Sequence, residues 1–298
     1  MTISKKFYKI FLVIFPVFLV FTFWGCKSKN DIKASPTEKP TPTATVLPSP
    51  SATPTHILTT TPSPLSTSSP SDYKDHVYLS YKGKGCCQNL SGKVILTVVF
   101  VDDDISVWDA ETIESERIFI QNELVLLTHD AQKHNIQLEI KAEYLHISVE
   151  GEVGKPAESP QWLAKIAEKL EISPSSEINS ILEEKYSVEE APVMFILNRK
   201  GRAYASSGKT DTWPEYALIY ANEDAFRHEL YHLYGAVDFY LHDDALAASK
   251  CFLSNTIMSS GTETDPLTAY QIGWTDTLSA AAINFLEKTS HITQKDIT

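Results

Sequence analysis

The stretch from Phe226 to Asp238, Phe-Arg-His-Glu-Leu-Tyr-His-Leu-Tyr-Gly-Ala-Val-Asp, constrains the fold more than any other part of the chain. Read as a helix, it sets His228 and His232 about 40° apart at 3.6 residues per turn, so both imidazoles leave the same side. Phe226, Leu230 and Leu233 then fall on the opposite side, and an apolar stripe of that kind needs burial. The chain must supply a core for one face of this helix and keep the other available for chemistry.

Two imidazoles four residues apart on one helical face have the spacing of a zinc site. Glu229 lies about 100° from His228, too far round to join easily as a ligand but within reach of a water at the metal. Gly235 follows the last turn, where a left-handed residue commonly ends a helix, and the chain can then swing Asp238 back as a third ligand. The plainer alternative is a solvated face carrying two histidines and two acids, and it leaves the joint spacing of His, Glu, Gly and Asp unexplained.

The stretch resembles the extended zinc signature of the metzincin clan of metallopeptidases, His-Glu-x-x-His-x-x-Gly-x-x-His/Asp, and its terminal Asp resembles that of the snapalysin family. The likeness covers eleven residues, His228 to Asp238. It implies that His228, His232 and Asp238 ligate Zn2+ and that Glu229 is the general base of an endopeptidase acting on protein or peptide substrates. It also implies an α+β fold with a twisted mixed sheet and long helices in an upper subdomain. The zinc helix would lie at the cleft, with a smaller irregular or helical lower subdomain after Gly235. Two other classes remain: a surface-binding lipoprotein with a structural zinc, and a zinc hydrolase of a non-peptide amide.

Downstream, Asn255-Thr256-Ile257-Met258-Ser259 resembles the Met-turn of the same clan, with Met258 as the apolar floor under the metal. Leu267 to Trp274 is similar to the segment after that turn in secreted bacterial metallopeptidases. Gly261-Thr262-Glu263-Thr264-Asp265 is similar to the Gly-Thr-x-x-Asp ligand motif of the aspzincins. Asp265 nevertheless precedes Pro266, and Gly273 closes the segment, so Asp265 reads better as the N-cap of a short helix. His242, Asp243 and Glu263 are further alternatives for the third ligand, and Tyr240 and Tyr270 are candidate oxyanion donors.

The opening of the chain cannot contribute to a core. Residues 1–26 carry Lys5, Lys6 and Lys9, an apolar run from Ile10 to Trp24, and Gly25-Cys26, the architecture of an export signal. The run of about 15 residues is short for a spanning helix of about 20. Gly25-Cys26 resembles the end of a bacterial lipoprotein signal, although Phe23 and Trp24 stand where Leu and a small residue are usual. Cys26 is the candidate lipidation site, with an N-terminal anchor or plain secretion as alternatives. Residues 27–71 hold nine of the sixteen prolines among Thr and Ser and read as a semi-stiff spacer. The expected placement is thus extracellular, at a bacterial cell surface, with membrane contact only through the N-terminus.

The metallopeptidase domain is expected over residues 72–298, its packed part starting near Asp72 or Gly92 and ending near Ser290. Removing residues 1–25, with three Lys and no acids, takes the formal charge from −12 to −15. Such acidity argues against nucleic acid and anionic lipid as partners, and a monomer is expected. Val94 to Val101 reads as a strand buried on both faces, and Asp109 to Asn135 as a long helix with His129 and His134 on its surface. Ile136 to Val149 reads as a strand, and Trp162 to Leu170 and Ile178 to Tyr186 as short helices. Val193 to Leu197, Arg202 to Ser206 and Tyr216 to Tyr220 read as strands, and either of the last two could be the edge that pairs with substrate.

Asp102-Asp103-Asp104 reads as a solvated turn, with a calcium loop as the alternative. Cys86, Cys87 and Cys251 follow Cys26. In an oxidising exterior, one of the adjacent pair could bond to Cys251. One of the pair could instead cap the zinc in a latent form.

Overall fold

The computed structural model describes residues 70–171, 178–206, 215–221, 224–239, 251 and 255–293, all within one compact unit, Pro62–Thr298. The signal and spacer expected over residues 1–71 lie almost wholly outside the described residues, as does Cys26. Among the described residues, no helix is long and apolar enough to cross a membrane.

A five-stranded sheet forms the centre, with strand order β2-β1-β3-β5-β4. Strand β1 (Gly92–Asp102) pairs in parallel with β2 (Leu138–Ser148) on one side and with β3 (Val193–Leu197) on the other. Strand β5 (Tyr216–Tyr220) continues the parallel series beside β3, and β4 (Tyr204–Ser206) runs antiparallel along the outer side of β5. Of the two segments after Gly201, β4 is therefore the edge. The architecture is mixed α and β.

Alternation along the central strands sends side chains to both faces. Val94, Leu96, Val98 and Phe100 of β1 join Met194 and Ile196 of β3 and Ala217 and Ile219 of β5 in one core layer. Val99, Val101, Val193, Phe195, Leu197 and Leu218 enter the other. That is why β1 and β3 read as continuous apolar runs. Helices α2 (Ser159–Lys169) and α3 (Ile178–Tyr186) cover the second layer through Trp162, Leu163, Ile166 and Leu182.

The first layer is covered by α1 (Ala110–Lys133) and α4 (Phe226–Leu233). Asp109 caps α1 by accepting from Thr112 N at 2.7 Å, while the Thr112 hydroxyl accepts from Asp109 N. Ile120, Leu124 and Leu127 then turn inward. Helices α5 (Pro266–Gln271) and α6 (Ala280–Lys288) bring Leu267, Ile272, Trp274, Phe285 and Leu286 into the same layer. The part after Gly235 thus shares its core with the sheet.

Packing begins well before β1. Tyr78 is fully buried, its ring 5.6 Å from Phe239 and 5.0 Å from Phe285. Its carbonyl accepts from Gln271 Nε2 at 2.6 Å, Leu90 O accepts from Trp274 Nε1 at 2.7 Å, and Leu90 N donates to Ile272 O at 3.0 Å. Residues 77–91 are scaffold for the C-terminal helices.

Of the three aspartates, only Asp104 is an exposed turn residue. Asp103 is buried and accepts from Ser106 N, Ser106 Oγ and Val153 N at 2.8–2.9 Å, with Arg199 Nη1 at 2.6 Å. Burial opposes its ionisation, but these donors and the Arg199 charge hold its pKa below the ordinary value. Asp102 accepts from Trp108 N, Ser148 Oγ and His146 Nε2. Both carboxylates tie loops together, which removes the basis for a calcium loop.

Candidate metal centre

Helix α4 crosses the sheet face directly after β5. Phe226, Leu230 and Leu233 are fully buried beneath it, as the apolar stripe requires. Arg227 fastens the helix laterally to α1, with Nε 2.8 Å from Glu123 Oε2 and Nη1 3.0 Å from Asp130 Oδ2. Tyr231 OH meets Thr264 Oγ1 at 2.8 Å. The helix can barely slide or rotate between these ties.

The chain then reverses at Gly235, which adopts φ +88°. A Cβ there would also stand 2.7 Å from the backbone oxygen of Tyr81, so both conformation and space demand glycine. The reversal returns Asp238 to the helix. Asp238 Oδ1 lies 3.0 Å from His228 Nε2 and 3.1 Å from His232 Nε2, and the two Nε2 atoms are 3.1 Å apart. The two rings stand at 86° to each other.

The outer nitrogens of the rings decide what this triangle can do. His228 Nδ1 is 2.8 Å from Ile257 O, and His232 Nδ1 is 2.9 Å from Ala236 O. Carbonyl oxygens only accept, so both Nδ1 atoms carry hydrogen and any further proton or metal ion must bind at the inward-facing Nε2 atoms. Buried Asp238 Oδ1 accepts no well-angled hydrogen bond there. Three lone-pair atoms at 3.0–3.1 Å repel unless a positive charge lies among them. Tetrahedral zinc with bonds of about 2.0–2.1 Å has ligand edges of about 3.3–3.4 Å, close to this triangle, and the three residues form a group able to hold a metal ion.

The electrostatics agree. Burial alone would lower the His232 pKa, but Asp238 and Glu229 overcome it and raise it to about 9. Burial likewise opposes ionisation of Asp238, yet His228 and His232 hold its carboxyl well below the usual range. Without a metal ion, the cluster binds a proton.

Asn255 to Glu263 forms a tight turn against this centre. Ile257 O orients His228, and Met258 O accepts from Phe239 N at 2.7 Å, one residue after Asp238. Met258 itself is fully buried. The turn holds the segments of both His228 and Asp238 through its backbone, a role no side-chain pattern announces.

A cavity of about 1030 Å3 opens on His228 and Glu229. Its walls include Leu126 and His129 of α1, Arg202 and Ala203 leading into β4, and residues 259–263. Glu229 is nearly buried at its edge. The edge strand therefore starts beside the same opening.

Other expected site residues fall elsewhere. Asp265 caps α5, accepting from Leu267 N at 2.9 Å and Thr268 N at 3.0 Å, and it bonds the Thr256 hydroxyl at 2.5 Å. It is a helix cap, not a ligand beside the histidines. Glu263 lines the cavity outside the triad. The Tyr270 ring packs on Lys82, whose Nζ is 4.2 Å from its centroid, and does not line the cavity. Tyr240, His242 and Asp243 lie outside the described residues. His129 is exposed, whereas His134 is half-buried against Trp274.

The cysteines do not follow their expected pairing. Cys86 and Cys87 are both thiols, so neither is bonded to Cys251. Cys86 and Cys87 gather with Glu215 instead of with the histidines, which removes the latent-cap reading. Beside them, burial pushes the Glu190 carboxyl up to about 7 even though Gln88 N and Asn89 N donate to it.

No family model matches the chain, and no curated protein is significantly similar to it.

Proposed function

We propose that the protein is a zinc-dependent endopeptidase of metzincin-like design, with His228, His232 and Asp238 as metal ligands and Glu229 as general base. The observation that carries this reading is the triangle of three inward lone-pair atoms at 3.0–3.1 Å beside a cavity that also reaches Glu229.

Zinc bound there would supply Lewis acidity for the scissile carbonyl and for the attacking water. The remaining steps belong to the chain. Ile257 O and Ala236 O fix the imidazole tautomers and aim the rings. Asp238 contributes a negative charge that a third imidazole would lack. Glu229 takes a proton from the attacking water and passes it to the leaving amine as the C–N bond breaks. The free side of β4 offers backbone donors and acceptors for an extended peptide entering between Arg202 and the 259–263 turn.

The decisive comparison is zinc content beside casein cleavage for the full chain, Glu229→Gln and His228→Ala. Glu229→Gln should keep zinc and lose about 100- to 10,000-fold in kcat. Full activity in that variant would refute the assignment. Zinc without cleavage of any member of a peptide library would favour a structural zinc or a non-peptide amide substrate.

A further inference from the structure

The chain enters the core at Val77, well before Asn89 and Leu90 are anchored, and between these points a loop closes around a carboxylate. Glu215, buried just ahead of β5, accepts from Cys86 N at 2.8 Å, Cys86 Sγ at 2.9 Å and Cys87 N at 3.4 Å. Gly85 has φ +91°, and a Cβ on it would stand 2.0 Å from Glu215 Oε1, so the loop wraps the carboxylate only because residue 85 is bare. Glu190, also buried, accepts from Gln88 N and Asn89 N at 3.1–3.3 Å and makes no ion pair with a Lys, Arg or His among the described residues.

The two sulfurs carry the argument further. Cys86 Sγ and Cys87 Sγ are 3.8 Å apart, far beyond a disulfide bond of about 2.05 Å. Two thiolates on one tetrahedral zinc at about 2.3 Å are separated by about 3.8 Å. The observed spacing, which a hydrogen bond between the two thiols also gives, fits two ligands on one ion. Both sulfurs and a Glu215 oxygen lie within 4.8 Å of one another.

We propose that Cys86, Cys87 and Glu215 form a second metal centre for a thiophilic divalent cation such as Zn2+, one that clamps the Cys86–Leu90 loop to the start of β5. On binding, each thiol gives its proton to solvent and its sulfur forms a bond to the metal. Two protons leave as two positive charges arrive, so the net charge of the buried centre is unchanged. Glu190 holds the following loop in place through Gln88 and Asn89. The centre is structural and separate from the histidine cluster, on which it does not depend.

The test uses the full chain purified in zinc-containing buffer without chelator, with His228→Ala and the double variant Cys86→Ser/Cys87→Ser alongside. Metal analysis should give two zinc equivalents for the native protein and one for each variant. Cobalt-loaded His228→Ala should show sulfur-to-metal charge-transfer absorption that the double variant lacks. If the double variant fails to fold, mercurial titration of the native protein replaces it, and release of one zinc as two thiols react is expected. The proposal is overturned if thiol modification releases no zinc, or if intact mass and peptide mapping show Cys86 joined to Cys87 or either joined to Cys251. Loss of the histidine reading looks different: His228→Ala would then keep the full zinc content, with the charge-transfer absorption intact.

Discussion

The histidine cluster and the cysteine cluster solve one problem in opposite ways. His228, His232 and Asp238 lie within eleven residues, brought together by one helix and one glycine reversal. Cys86 and Cys87 lie 129 and 128 residues before Glu215 and meet it only because the chain before β1 packs against the entry to β5. The first cluster reaches a cavity through His228, whereas Cys87 in the second is completely buried. On the proposed reading, metal-binding groups drawn from one short stretch leave room for a substrate, and groups drawn from distant segments stitch those segments together.

The strongest way to break this contrast is His228→Ala. It should abolish cleavage, lowering kcat/KM at least about 1,000-fold, while an assay of zinc still finds the sulfur-bound equivalent. Equal loss of zinc from both clusters would show that they are one cooperative unit.

The glycines that shape the two clusters give a matched pair. Gly235→Ala meets backbone at Tyr81 and must also hold φ +88°, so thermal or denaturant unfolding should show a loss of about 2–3 kcal/mol. Gly85→Ala meets the movable end of Glu215 and should cost about 1–2 kcal/mol, with thiol-bound zinc reduced. The reverse ranking would mean that the cysteine loop is the more rigid of the two.

Protons sharpen the comparison further. In metal-free protein, the His232 pKa stands at about 9, above its unfolded value of about 6.5. Its contribution to stability is therefore complete below about pH 6.5 and is lost as pH rises through 9. Chelated protein should melt at lower temperature at pH 9 than at pH 6.5. Zinc should protect more at the higher pH, where no proton competes for the site. A flat profile would detach His232 from Asp238.

The smallest effect separates a cap from a ligand. Asp265→Ala should cost about 1–2 kcal/mol through the lost cap and its Thr256 partner, and zinc content should not change. Loss of zinc would return Asp265 to the metal.

How much of this was legible follows from the range of each interaction. Helix α4, its buried stripe, the Gly235 reversal and the Asp265 cap are set by neighbours within a few turns, so spacing alone reveals them. Strands β1, β3 and β5 declare themselves because burial on both faces leaves an unbroken apolar run. The three aspartates misled because acidic residues in a row look solvated, and nothing nearby signals that Arg199 and Val153 lie across from Asp103. The cysteines invited a disulfide because Glu215 is too distant in sequence to suggest itself. Carbonyl partners such as Ile257 O and Ala236 O leave no signature at all, since every residue has one.

The seat of Tyr78 between Phe239 and Phe285 has a consequence for the order of assembly. A ring near the front of the domain finds its place only when helices near the back exist to receive it. During folding, most of the polypeptide must be available before this joint can shut, and loop closure over about two hundred residues makes that late step slow. The three-residue cluster of His228, His232 and Asp238, which shares that core, would accordingly take its final shape only at the end of folding.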